Sequence, residues 1–86
     1  MAEPIELPIE DTIDLHSFQP GEVASLVEEY LHQAQIKGYR EVRIIHGRGI
    51  GVQRQIVHAI LTRHPQVLSF TDAADRGSTL VALKQD

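Results

Sequence analysis

Cysteine does not occur in this 86-residue sequence. Its absence excludes disulfides, thiolate nucleophiles and Cys-ligated zinc or iron–sulfur sites, and it fits a reducing compartment, so a cytoplasmic location is expected. No apolar run approaches the ~18 residues of a membrane span, and residues 1–10 carry acids where a signal peptide would need a basic start. No membrane partner is therefore expected. Internal repeats and low-complexity segments are missing as well. A chain of this length builds one hydrophobic core, domains commonly running to roughly 100–150 residues. The expectation is a single free-standing domain over residues 10–86, preceded by an arm over residues 1–9.

Positive charge is also scarce: the formal net charge is −4. Nucleic-acid binders normally draw most of their affinity from Lys and Arg on phosphate, so the distribution of charge matters more than the total. Residues 1–29 hold eight acids and no Lys or Arg, whereas residues 30–86 hold eight basic residues against four acids. A local positive face is available there if Lys37, Arg40, Arg43, Arg48, Arg54 and Arg76 converge. The plain alternative is that these side chains are simply solvated.

Residues 1–10 contain Pro4 and Pro8 and alternate Ile5, Leu7 and Ile9 with polar residues, the pattern of an extended arm or edge strand. Residues 11–15 read as a short strand. Pro20 and Glu22 mark a helix start, and Val23, Leu26, Val27, Tyr30, Leu31 and Ala34 recur at the spacing of one buried face up to about Lys37, with Gly38 as the stop. Residues 41–46, Glu-Val-Arg-Ile-Ile-His, form the strongest strand. After a glycine-rich break, residues 52–63 resume helical spacing through Val52, Ile56, Val57, Ile60 and Leu61 until His64-Pro65. Residues 67–72 and 79–83 are two further strands. The order β-α-β-α-β-β predicts an α/β fold with two helices on one mixed four-stranded sheet.

Two pieces of this chain can carry chemistry. Ile13-Asp14-Leu15-His16 ends a strand with an acid and an imidazole two residues apart, so both can point the same way. Such a pair can orient the ring and raise its basicity, or ligate a divalent metal; alternatively Asp14 caps the next turn beside an exposed His16. His46-Gly47-Arg48-Gly49-Ile50-Gly51 places three glycines at alternate positions between a strand and a helix, where backbone N–H groups can approach an anion. Arg48 adds a planar cation suited to phosphate. The loop is neither a dinucleotide fingerprint nor a Walker loop, so NAD and ATP are not expected; a turn that merely needs positive φ is the alternative. If the two strands are parallel neighbours, Asp14, His16, His46 and Arg48 share one rim of the sheet. His32 and His58 fall off the apolar faces of their helices and His64 sits at a helix C-terminus, so all three are expected to be solvated.

Over residues 9–83 the sequence resembles the Smr (small MutS-related) domain family. The resemblance rests on Ile13-Asp14-Leu15-His16, on residues 44–52 around His46-Gly47-Arg48-Gly49, and on Gly77-Ser78-Thr79 opening the last strand. These are similar to the family's Leu-Asp-x-His element, its His-Gly-Lys/Arg-Gly loop and its Gly-x-Thr strand. The resemblance implies a two-layer βαβαββ sandwich and either endonuclease activity on DNA or RNA or structure-directed nucleic-acid binding. It assigns Asp14 and His16 as catalytic acid and histidine, and His46, Gly47, Arg48 and Gly49 as a second functional loop. Ser17 stands where the family often has Gly, and Gln53 where it usually has Leu.

The enzyme reading uses Asp14, His16 and His46 for catalysis and Gly47, Arg48, Gly49, Gly51 and Arg76 for phosphate, with Mg²⁺ or Mn²⁺ at Asp14 and His16 as an optional cofactor. RNA could cleave through its own 2′-hydroxyl without a metal, whereas DNA favours an ion that activates water. The binding-module reading keeps the phosphate cradle and leaves Asp14 and His16 structural. A small-anion or metabolite site on the same rim is a third reading.

Overall fold

The computed structural model of the chain describes residues 9–47 and 51–84. Its elements are β1 (Thr12–Asp14), α1 (Pro20–Ile36), β2 (Glu41–Ile45), α2 (Val52–Arg63), β3 (Val67–Asp72) and β4 (Ser78–Leu83), in the expected βαβαββ order. The sheet runs β1-β2-β4-β3, with β1 parallel to β2 and both other pairs antiparallel. Of the arm expected over residues 1–9, only Ile9 is among the described residues. It packs partly against the core, and its carbonyl accepts a hydrogen bond from the Tyr39 hydroxyl at 2.9 Å while the Glu10 carbonyl accepts one from Tyr30 at 2.6 Å.

β1 is shorter than the residue 11–15 strand read from the pattern, but its ladder uses that whole stretch. Arg43 N–H donates to the Asp11 carbonyl and Leu15 N–H to the Ile45 carbonyl, each at 2.8 Å. α1 starts where Pro20 can spare its missing N–H, and the Glu22 carboxylate accepts the Gln19 backbone N–H at 3.0 Å, closing one side of a capping arrangement. β2 stops at Ile45 because the N–H groups of His46 and Gly47 both turn to the Gly77 carbonyl, at 3.0 and 2.9 Å.

One face of the sheet is covered. Val42 and Ile44 of β2 and Val81 and Leu83 of β4 meet Val23, Val27, Tyr30, Leu31 and Ala34 of α1 and Val57, Ile60 and Leu61 of α2 in a single buried cluster. Fully burying a side chain such as Leu31 or Ile44 is worth about 1.5–3 kcal/mol, so this layer is the main source of stability. Among the described residues no helix is long and apolar enough to cross a membrane.

This topology concentrates chain ends. β1 and β2 are parallel, so both finish on one rim, and the register Ile45↔Ser78 and Asp72↔Thr79 brings the start of β4 and the end of β3 to the same place. The first turn of α2 follows directly from the loop after β2.

Candidate functional site

Asp14 and His16 leave the end of β1 joined through one oxygen. Asp14 Oδ1 accepts the His16 backbone N–H at 3.0 Å and lies 2.6 Å from the ring Nδ1. An ionised carboxylate only accepts, so Nδ1 carries a proton and Nε2 is the ring nitrogen turned away from Asp14. The backbone N–H of His16 first, and its ring second, hold the Asp14 carboxyl below the usual carboxylate range. Both side chains are substantially exposed, 70% for His16 and 47% for Asp14.

His16 opens onto a hollow of about 370 Å³ lined also by Pro20, His46, Gly47, Gly51, Val52 and Gln53. Its size falls within the ~300–1,000 Å³ usual for ligand clefts. The hollow faces the start of α2, where unpaired backbone N–H groups favour an anion. Gly47 and Gly51 adopt φ of +86° and +82°, a region that costs an L-residue about 1–2 kcal/mol, so both ends of this loop require glycine. Gln53 Nε2 donates to the Phe18 carbonyl at 2.7 Å, tying α2 to the segment that follows His16. Arg48 and Gly49 lie outside the described residues.

His46 is buried, 5% exposed. Its Nδ1 lies 3.1 Å from the Gly47 carbonyl oxygen and its Nε2 2.9 Å from Thr79 Oγ1. The same Thr79 oxygen is 2.9 Å from His58 Nε2. His58 in turn lies 3.5 Å from Asp72 Oδ1 and packs edge-on to Phe70 at 4.9 Å between ring centroids. Burial, and secondarily the Arg54 charge, lower the His58 pKa from its ordinary value. The expectation of a solvated His58 is thus incorrect: the residue sits at the border of the apolar face of α2, where β3 and β4 close over it. His46, His58 and Asp72 bring ligand atoms within 4.8 Å of one another, a set that could coordinate a divalent metal. It is the one such group of three among the described residues. Asp14 and His16 supply only two groups, one oxygen of which already engages the ring.

Among the described residues no cation lines the hollow beside His16, contrary to what the charge distribution suggested. Arg43 Nη1 pairs with Asp75 Oδ2 at 3.2 Å, and Arg54 grips both oxygens of Asp72, Nη2 to Oδ2 at 2.6 Å and Nε to Oδ1 at 3.2 Å. Lys37 and Arg40 precede β2 and so enter at the end of that strand opposite His46. Arg76, at φ +61° in the turn before β4, lines a separate hollow with Arg54, Asp72, Ala73 and Ala74. His64 also departs from the solvated expectation: it is half-buried, its Nδ1 accepts the Gln66 N–H at 3.2 Å, and burial lowers its pKa. His32 is exposed as expected. Of this second cluster the sequence motifs mark His46 and Thr79; His58 and Asp72 join them only through the packing of α2 on the sheet and the register of β3 on β4.

Comparison with known proteins gives one consistent family. Residues 13–84 match the Smr domain. The chain is 39% identical over 83 residues to endonuclease MutS2 of Caldicellulosiruptor bescii, an alignment covering 92% of this chain and 10% of that protein. With endonuclease MutS2 of Clostridium tetani it shares 35% identity over 80 residues, 88% of this chain and again 10% of the relative. It thus spans about a tenth of the length of these curated relatives. Among solved structures, the Smr domain of Thermus thermophilus MutS2 superposes with a TM-score of 0.81 at 34% identity, covering 85% of this chain and 96% of the other. YdaL, a stand-alone small MutS-related protein of Escherichia coli, gives a TM-score of 0.83 at 27% identity, covering 91% and 67%.

Proposed function

Because the chain belongs to the Smr domain family, we propose that it binds a nucleic-acid backbone over the His16–His46 hollow and cleaves a phosphodiester there. The observation that carries this reading is the 2.6 Å contact of His16 Nδ1 with Asp14 Oδ1, which directs the basic Nε2 away from Asp14 in a residue that lines the hollow. His16 acts as general base, taking a proton from a ribose 2′-hydroxyl or from water, and Asp14 stabilises the imidazolium that forms. Arg48 and the amides of the 47–51 loop stabilise charge building on the phosphorane. No covalent nucleophile is needed. A divalent cation, Mg²⁺ or Mn²⁺, would supply charge neutralisation at phosphate; of the two, Mn²⁺ is the one that His46, His58 and Asp72 would hold more readily than Asp14 and His16 do. Relatives named endonuclease MutS2 support the reaction class.

The test is to titrate the purified protein with single-stranded RNA, nicked duplex and branched DNA, with and without Mg²⁺ or Mn²⁺. His16→Ala is expected to lower turnover by roughly 10²–10⁴-fold with binding nearly intact. Cleavage that survives both His16→Ala and Asp14→Asn moves the chemistry to His46. Binding without cleavage under every metal condition leaves a non-catalytic module, a second reading favoured by one detail: the His16 backbone N–H on Asp14 Oδ1 at 3.0 Å is also what a purely structural Asx turn would make.

A further inference from the structure

The geometry points to a site for a borderline transition metal, of the Zn²⁺ or Mn²⁺ class and not Mg²⁺, formed by His46 Nε2, His58 Nε2 and Asp72 Oδ1. The two imidazole nitrogens converge on one point, since each lies 2.9 Å from the same Thr79 oxygen. That hydroxyl has a single hydrogen and can donate to only one of them.

The surroundings resemble the outer shell of a metal centre, in which ligating rings and carboxylates are held from behind. His46 Nδ1 faces the Gly47 carbonyl at 3.1 Å; an oxygen acceptor there requires Nδ1–H and leaves Nε2 with its lone pair. Arg54 holds Asp72 chiefly through Oδ2, at 2.6 Å, and only loosely through Oδ1, at 3.2 Å. Phe70 fixes the plane of the His58 ring. Metal–ligand bonds of about 2.0–2.2 Å would bring ligand atoms to roughly 3.0–3.5 Å of one another, from a present spread of at most 4.8 Å. Modest side-chain rotation closes that gap. His58 must present a bare Nε2, so its ring proton passes to Nδ1 by solvent exchange, and the Thr79 hydroxyl turns aside or fills a further position. Two nitrogens and one oxygen suit Zn²⁺ or Mn²⁺, whereas Mg²⁺ prefers oxygen donors and keeps its water. Such a cation would place positive charge beside the hollow, which Arg43 and Arg54, each already matched by an aspartate, do not supply.

The experiment is calorimetric titration of the whole chain with ZnCl₂, MnCl₂ and MgCl₂ in the absence of nucleic acid, paired with NMR of the histidine rings during MnCl₂ addition. The expected result is one Zn²⁺ per chain, Mg²⁺ at least ~10-fold weaker, and affinity at least ~10-fold lower in His58→Ala and Asp72→Asn. His32→Ala should be unaffected. Mn²⁺ should broaden the ring signals of His46 and His58 before those of His16, His32 and His64. Asp72→Asn keeps the side-chain shape at an exposed position, so it reads the site even if His58→Ala unfolds. Absence of binding, equal binding by the Asp72→Asn and wild-type chains, or broadening centred on His16 overturns the proposal. Since no nucleic acid is present, that failure leaves the cleavage reading standing, and an inactive nuclease that still binds Zn²⁺ leaves this one.

Discussion

A single carboxylate oxygen, Asp14 Oδ1, accepts both the backbone N–H and the ring N–H of His16. The folded state therefore favours the ionised acid, and the Asp14 pKa falls below its ordinary value. The stability this pair contributes is fully present above the usual Asp value near pH 4 and is lost as pH falls through the lower folded value. Asp14→Asn removes that dependence. Unfolding by urea between pH 6 and pH 2 should show the gap between wild type and Asp14→Asn narrowing only below about pH 4; a gap that stays constant to pH 2 would place the stabilisation elsewhere. Solvent around a half-exposed pair keeps the effect small. His16 itself was legible in the sequence because its partner is two residues away, whereas His58 was not, because its partners Thr79 and Asp72 are contributed by other elements.

The start of α2 depends on Gly51 at φ +82°, where an added Cβ would meet nothing within 4 Å. Substitution there is opposed by backbone conformation and not by crowding. Gly51→Ala should lower stability by about 1–2 kcal/mol, and Gly51→Asn by less, since Asn tolerates the left-handed region. Urea midpoints of the two variants decide it, and equal losses would point to the missing hydrogen-bond partners of the helix start instead. Local signals located α2 and β3 to the residue, because helical periodicity and β-branched runs act over neighbouring positions. Boundaries at β1 and β2 shifted by a residue because the last rungs there are set by partners: Leu15 on Ile45, and His46 on Gly77.

Across the whole molecule the pairing of Arg43 with Asp75 and Arg54 with Asp72 leaves fewer cations for phosphate than the count of basic residues suggests. Arg48→Ala should weaken binding alike for all sequences and reduce the salt slope by about one unit, while Arg43→Ala should leave the slope nearly unchanged. A slope that falls equally for both variants would mean that Arg43 leaves Asp75 to meet the backbone. The order of elements, the two-layer architecture and the sharing of one rim by Asp14, His16 and His46 were determined by the sequence itself, since periodicity assigns the elements and a strand–helix–strand passage favours parallel neighbours. The tertiary structure alone decided the strand order β1-β2-β4-β3, the register that sets Asp72 opposite Thr79, and hence the partners of His58 and of the arginines. Those contacts join residues 14 to 35 positions apart, and a side chain leaves no periodic trace of a partner that only sheet register delivers.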